Sequence, residues 1–66
     1  MPIVEVTLAQ GRTPVQLRTM IAKLTQAVVD SGVAPKSGVR VIVREIPKTH
    51  FAAGDVTLAE REETNA

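Results

Sequence analysis

Cysteine, tryptophan and tyrosine are absent from this chain of 66 residues, and phenylalanine and histidine occur once each. Without cysteine the chain has neither disulfides nor thiolate metal sites. With His50 the sole histidine, a histidine-rich metal site within one chain is excluded too. The lack of tryptophan and tyrosine removes the stacking platforms that single-stranded nucleic acid needs, and the formal net charge of +1 comes with no basic run. No nucleic-acid partner is expected. No segment approaches the ~20 apolar residues of a membrane helix, and no membrane partner is expected either. The N-terminus does not carry the basic-then-apolar pattern of a secretory signal, so the plain expectation is a cytoplasmic protein.

A chain of this length forms one domain, residues 1–66. It buries only about 60% of its unfolded surface, so a lone monomer is marginal. Small domains compensate with disulfides, a metal or subunit packing. With the first closed off and no histidine- or cysteine-rich metal site, self-association is the expected remedy.

What is present reads as strand, helix, strand. Ile3 to Leu8 alternates, with Val4, Val6 and Leu8 on one face and Ile3, Glu5 and Thr7 on the other. Gln10 and Gly11 break the pattern. Thr13 then serves as N-cap, with Pro14 at the first helical position and Gln16 completing a capping box. Leu17, Ile21, Leu24 and Val28 follow at helical spacing, supported by Met20 and Ala27, and the helix ends near Ser31 with Gly32 as a left-handed cap. A connection punctuated by Pro35 and Gly38 leads to a second strand from Val39 to about Glu45. Val39, Val41 and Val43 take its apolar face, while Arg40, Ile42 and Arg44 take the other. Pro47 ends that strand, His50 to Gly54 reads as a short apolar loop, and the polar tail from Glu60, flexible over about 61–66, is expected to fray.

The fold class is therefore α/β: a single β-α-β unit whose strands run parallel. A two-stranded sheet with both edges open is not stable alone in water. Two units pairing edge to edge give a four-stranded sheet in a dimer, which is expected to assemble further.

Chemistry gathers around Pro2 and the arginines. Removal of Met1, which a small second residue favours, leaves Pro2 as a secondary amine with a ring-fixed direction. Held at the end of a strand, among apolar groups and near arginines, that amine loses its proton more easily and can act as a base beside a carbonyl. Arg12 stands in the turn beside Gly11, and Arg40 and Arg44 lie along the second strand. Guanidinium forks bind carboxylates and steady a developing enolate oxygen. Arg44 reads as part of a solvated face, His50 as a structural hydrogen-bonding residue, and Lys48 and Glu45 as surface charges. Phe51 suits either core packing or an apolar wall over a pocket.

Taken together these residues resemble the 4-oxalocrotonate tautomerase family, the short members of the tautomerase superfamily. The likeness runs from Pro2 to about Glu60. It rests on Pro2-Ile3, on Gly11-Arg12-Thr13 opening the helix, on V-R-V-I-V-R-E from Val39 to Glu45, and on K-T-H-F from Lys48 to Phe51. The resemblance implies a cofactor-free isomerase that assembles as a homohexamer, a trimer of dimers, and often serves aromatic-compound degradation. It implies Pro2 as general base, moving a proton between the enol oxygen and a carbon of a 2-hydroxydienoate such as 2-hydroxymuconate. It assigns Arg12 to the distal carboxylate of the substrate. Arg40 goes to the 2-hydroxy or keto oxygen and near carboxylate, typically from a neighbouring subunit, and Phe51 to the hydrophobic wall.

The sequence departs from the family after Phe51, where it reads A-A-G-D. Ala53 leaves a roomier pocket, and Asp55 adds a charge near its edge. The family's haloacrylate dehalogenases carry a water-activating glutamate two residues beyond the aromatic position, and Ala53 cannot serve that role. The alternatives to tautomerisation are another reaction on the same fold, such as hydration or carbon–carbon bond formation through a proline iminium, and a non-catalytic oligomerising module.

Overall fold

Residues 1–65 are described in the computed structural model of the chain. Strand β1 (Ile3–Ala9) leads into helix α1 (Pro14–Asp30), and strand β2 (Arg40–Ile46) returns parallel to β1. The register runs from Ile3 opposite Arg40 to Ala9 opposite Ile46. Each local signal acts at its own position. The Thr13 hydroxyl accepts from the Gln16 N–H at 3.1 Å while the Gln16 side chain accepts from the Thr13 N–H at 2.9 Å. Both otherwise orphaned donors of the first turn are satisfied reciprocally. At the other end Gly32 takes φ +81°, a conformation that residues with a Cβ disfavour.

Alternation along the strands separates two faces. Val4, Val6, Leu8, Val41 and Val43 are half-buried, as are Leu17, Met20, Ile21, Leu24 and Val28 of α1, whereas Ala27 is exposed. The opposite sheet face has no covering layer among the described residues: Ile3 is 58% and Ile42 41% exposed. Across it Arg44 and Glu5 form an ion pair at 3.7 Å.

The consequence is a thin slab of 45 × 24 × 15 Å. Among the described residues only Ala9, 5% exposed, is a buried hydrophobic. The radius of gyration is 15.2 Å, against about 11 Å for a compact chain of this length. The accessible surface is 4909 Å², against about 4,100 Å² for a folded monomer of this mass.

Two expectations from the sequence need correction. The stretch read as a loop from His50 to Gly54 includes the start of a hairpin, β3 (Ala52–Ala53) paired antiparallel with β4 (Val56–Thr57). Gly54 at φ +60° and Asp55 at φ +66° form its two-residue turn, the mirror-type geometry whose twist suits a hairpin. The tail read as fraying from Glu60 is instead helix α2 (Leu58–Asn65), and Ala66 lies outside the described residues. Its start carries a second capping box, in which Thr57 N–H donates to Glu60 Oε1 at 2.9 Å and Glu60 N–H to Thr57 Oγ1 at 3.1 Å. Smaller shifts affect the main strands: β1 extends to Ala9, and Val39 caps a 3-10 turn over Lys36–Gly38 so that β2 begins at Arg40. Among the described residues no helix is long and apolar enough to cross a membrane.

Candidate active site

Parallel strands sort the four residues singled out in the sequence into two pairs. Pro2 precedes β1 and Arg40 opens β2, so both stand at the end where the strands begin. The Arg40 N–H donates to the Pro2 carbonyl at 3.0 Å, extending the sheet ladder by one residue and fixing Pro2. The Arg40 guanidinium in turn donates to the Ser37 carbonyl at 2.9 Å. With Met1 in place the Pro2 nitrogen is an amide and has no basic lone pair.

Arg12 and Phe51 stand at the other end, where the strands finish. Arg12 donates to the Ala9 carbonyl at 3.0 Å, which folds its guanidinium back over the last residue of β1. Gly11 permits that turn, with φ +130°. Phe51 follows the 3-10 turn Lys48–His50 after β2 and is 38% exposed. The seven residues of β1 span about 23 Å at 3.3 Å each. Pro2 and Arg12 of one chain therefore cannot meet on one small molecule.

A cleft of about 450 Å³ opens at the Arg12 end. Ala9 to Arg12, Gln16, Lys48, Leu58, Arg61 and Glu62 line it, and Phe51 does not. Its charge is lopsided: Arg12, Lys48 and Arg61 face a single carboxylate, Glu62. Lys48 Nζ pairs with Glu62 Oε1 at 2.6 Å, and Arg61 donates to the Ala53 carbonyl at 3.2 Å. The cleft is suited to a small anion.

Comparison with known proteins gives this geometry its context. The family model described as Tautomerase enzyme matches residues 2–61. A 2-hydroxymuconate tautomerase from Pseudomonas sp. strain CF600 is 41% identical over 54 residues, covering 82% of this chain and 86% of that protein. This chain belongs to the tautomerase family.

Solved structures place the tautomerase among 4-oxalocrotonate tautomerases. An isozyme from Methylibium petroleiphilum superposes with a TM-score of 0.91 at 33% identity, covering 96% of this chain and 98% of its own. A heterohexameric 4-oxalocrotonate tautomerase from Chloroflexus aurantiacus superposes with a TM-score of 0.86 at 30% identity, covering 91% and 97%. The tautomerase is thus an isomerase on a β-α-β scaffold.

The sequence did not expose every residue that lines the cleft. Lys48 reads there as an ordinary surface charge. In the folded tautomerase its Cε and Nζ lie 3.7 and 3.8 Å from where a Gly11 Cβ would stand, so its ammonium crosses the turn that carries Arg12. Arg61 and Glu62 come from α2, a helix the tail was not expected to form. The Thr57-x-x-Glu60 capping box before Leu58 was the signal that could have found it. Arg44 does lie on an exposed face, paired with Glu5. His50 lies in the 3-10 turn, its N–H donating to the Pro47 carbonyl at 2.9 Å.

Proposed function

We propose that this tautomerase, after loss of Met1, uses Pro2 as a general base to ketonise 2-hydroxydienoates such as 2-hydroxymuconate. The Pro2 amine takes the proton of the 2-hydroxyl, the electrons shift along the diene, and the proton is returned to carbon. The reaction is an isomerisation and balances without a co-reactant. Arg40 receives the oxygen that carries the developing charge, and Arg12 anchors the far carboxylate. Phe51 supplies an apolar wall from the same end of the chain as Arg12.

The observation that carries this reading is the anchoring of Pro2 beside Arg40 by the 3.0 Å ladder bond. The bond fixes the backbone of Pro2, and a guanidinium brought to its amine in the assembled site makes that amine easier to deprotonate, because a second positive charge is unfavourable there. A base needs such positioning as much as it needs a suitable pKa. The similarity to a 2-hydroxymuconate tautomerase over 82% of the chain supports the substrate class.

The separation of Pro2 from Arg12 along β1 requires that a complete site be closed between copies. The open sheet face and the excess surface of the slab supply apolar area for that assembly. A homohexamer built from dimers satisfies both demands, and a heterohexameric relative with the same fold supports a six-subunit assembly. The test is ketonisation of 2-hydroxymuconate, followed by absorbance, with chain whose loss of Met1 is confirmed by mass. Saturable turnover is expected. Absence of turnover in fully processed, assembled protein overturns the substrate assignment.

A further inference from the structure

The Arg12 cleft holds two more cations than the reading above uses, and one carboxylate that it does not use at all. Taking that reading of Arg12 as the distal-carboxylate anchor, we infer that Lys48 is a second specificity-determining cation for that carboxylate and that Glu62 is its built-in competitor. Lys48 leaves the 3-10 turn after β2 and lays its stem across Gly11, with Nζ 3.8 Å from the position a Cβ would take. The ammonium therefore reaches the residue adjoining Arg12 from a different element. A planar carboxylate in the cleft meets a guanidinium fork from Arg12 and a point charge from Lys48, the two complementary ways a protein holds such a group.

Glu62 brings a carboxylate of the chain's own to that cation, at 2.6 Å from Lys48 Nζ. The pair is solvent-accessible, with side chains 38% and 61% exposed. Exposed pairs of this kind are weak and exchange readily for another anion. Glu62 lies on α2, which the Thr57–Glu60 capping box starts and the Arg61 contact to Ala53 holds against the hairpin. The helix thus delivers a competing carboxylate to the same cation that the substrate seeks. A monocarboxylate whose one carboxylate is held at the Arg40 end has no second group to exchange with Glu62, so Lys48 favours dicarboxylates and Glu62 tempers that preference.

Two inert probes test it: cis,cis-muconate, a six-carbon dienoate with two carboxylates, and sorbate, a six-carbon dienoate with one. Calorimetric titration of the Met1-processed protein is expected to show tighter binding of muconate than of sorbate. Lys48→Met is expected to weaken muconate by about fivefold and Glu62→Gln to tighten it by about threefold, with sorbate moving less than twofold in either. In turnover the same variants move KM for 2-hydroxymuconate and leave kcat within about twofold, as expected for a contact kept in ground and transition states alike. Equal shifts for both probes, or none, overturn the inference, as does a parent protein with no preference for muconate. Arg12→Ala separates the two claims. If it leaves muconate binding intact while Lys48→Met weakens it, the Arg12 assignment fails and Lys48 stands; the reverse pattern removes Lys48 alone.

Discussion

The Arg40 N–H donates to the Pro2 carbonyl at 3.0 Å, so the residue proposed as base is tied through its own carbonyl to the strand that carries a proposed electrophilic partner. That bond involves the backbone alone, and side-chain changes at position 2 leave it available.

Pro2→Ala is accordingly expected to assemble as the parent does while losing about two to four orders of magnitude in kcat, the usual contribution of a positioned general base. Protein that retains Met1 should be as inactive as the variant, because its Pro2 nitrogen is an amide. Mass spectrometry with stopped-flow absorbance on both preparations checks this. Full activity in either would remove Pro2 from the mechanism.

The exposed face of the sheet makes a separate demand. Ile42 is opposite Glu5 in the register and is 41% exposed in the single chain. A carboxylate placed there would be buried against a neighbouring copy beside Glu5, and an unpaired buried charge of that kind costs several kcal/mol. Ile42→Asp is expected to reduce the sedimentation coefficient to that of a smaller species and to lower activity with it, whereas Ile42→Val keeps both. An unchanged sedimentation profile for the aspartate variant would mean that this face stays in water.

Much of this fold was legible because its signals are local. Thr13, Pro14, Gln16 and Gly32 define α1 by their own backbone needs, and the structure shows each in the role expected. The alternation of Val4, Val6 and Leu8 against Ile3, Glu5 and Thr7 gives the two faces of β1 in the same way. The hairpin and α2 were harder to read for different reasons. Strands of two residues are too short for alternation to register, and only the Gly54-Asp55 pair marks them. The polar sequence after Thr57 resembles a fraying tail until the capping box is noticed. Lys48 could not be assigned from sequence at all, since its place over Gly11 depends on two loops meeting at the end of the sheet.

The capping box of α2 also carries a pH dependence. The Thr57 backbone N–H, then the Thr57 hydroxyl, hold the Glu60 carboxyl below its ordinary value. A depressed carboxyl contributes stability fully above its unfolded pKa and loses it as pH falls through the folded value. The start of α2 should therefore loosen in acid, below the ordinary carboxylate range, while α1 stays capped by the uncharged Thr13–Gln16 pair. NMR shifts of residues 58–62 followed downward in pH provide the measurement. Glu60→Gln keeps the reciprocal geometry without the charge and should flatten the transition. An identical acid transition in the glutamine variant would place its origin elsewhere.

Pro2 and Arg12 offer the sharpest separation between a site within one chain and a site between chains. The strand between them is seven residues long, or about 23 Å. Pro2→Ala and Arg12→Ala homomers each lack one half of every site. Unfolded together in equal amounts and refolded, they form mixed assemblies in which an intact Pro2 and an intact Arg12 can come from different chains. Random mixing then restores both groups in about one quarter of sites, and activity on dicarboxylates should recover towards that fraction. Were both groups drawn from the same chain, mixing would restore nothing, because no single chain in the mixture carries both. Recovery on dicarboxylates therefore reports the composite site directly, and its absence in assemblies shown by mass to be mixed would rule that arrangement out.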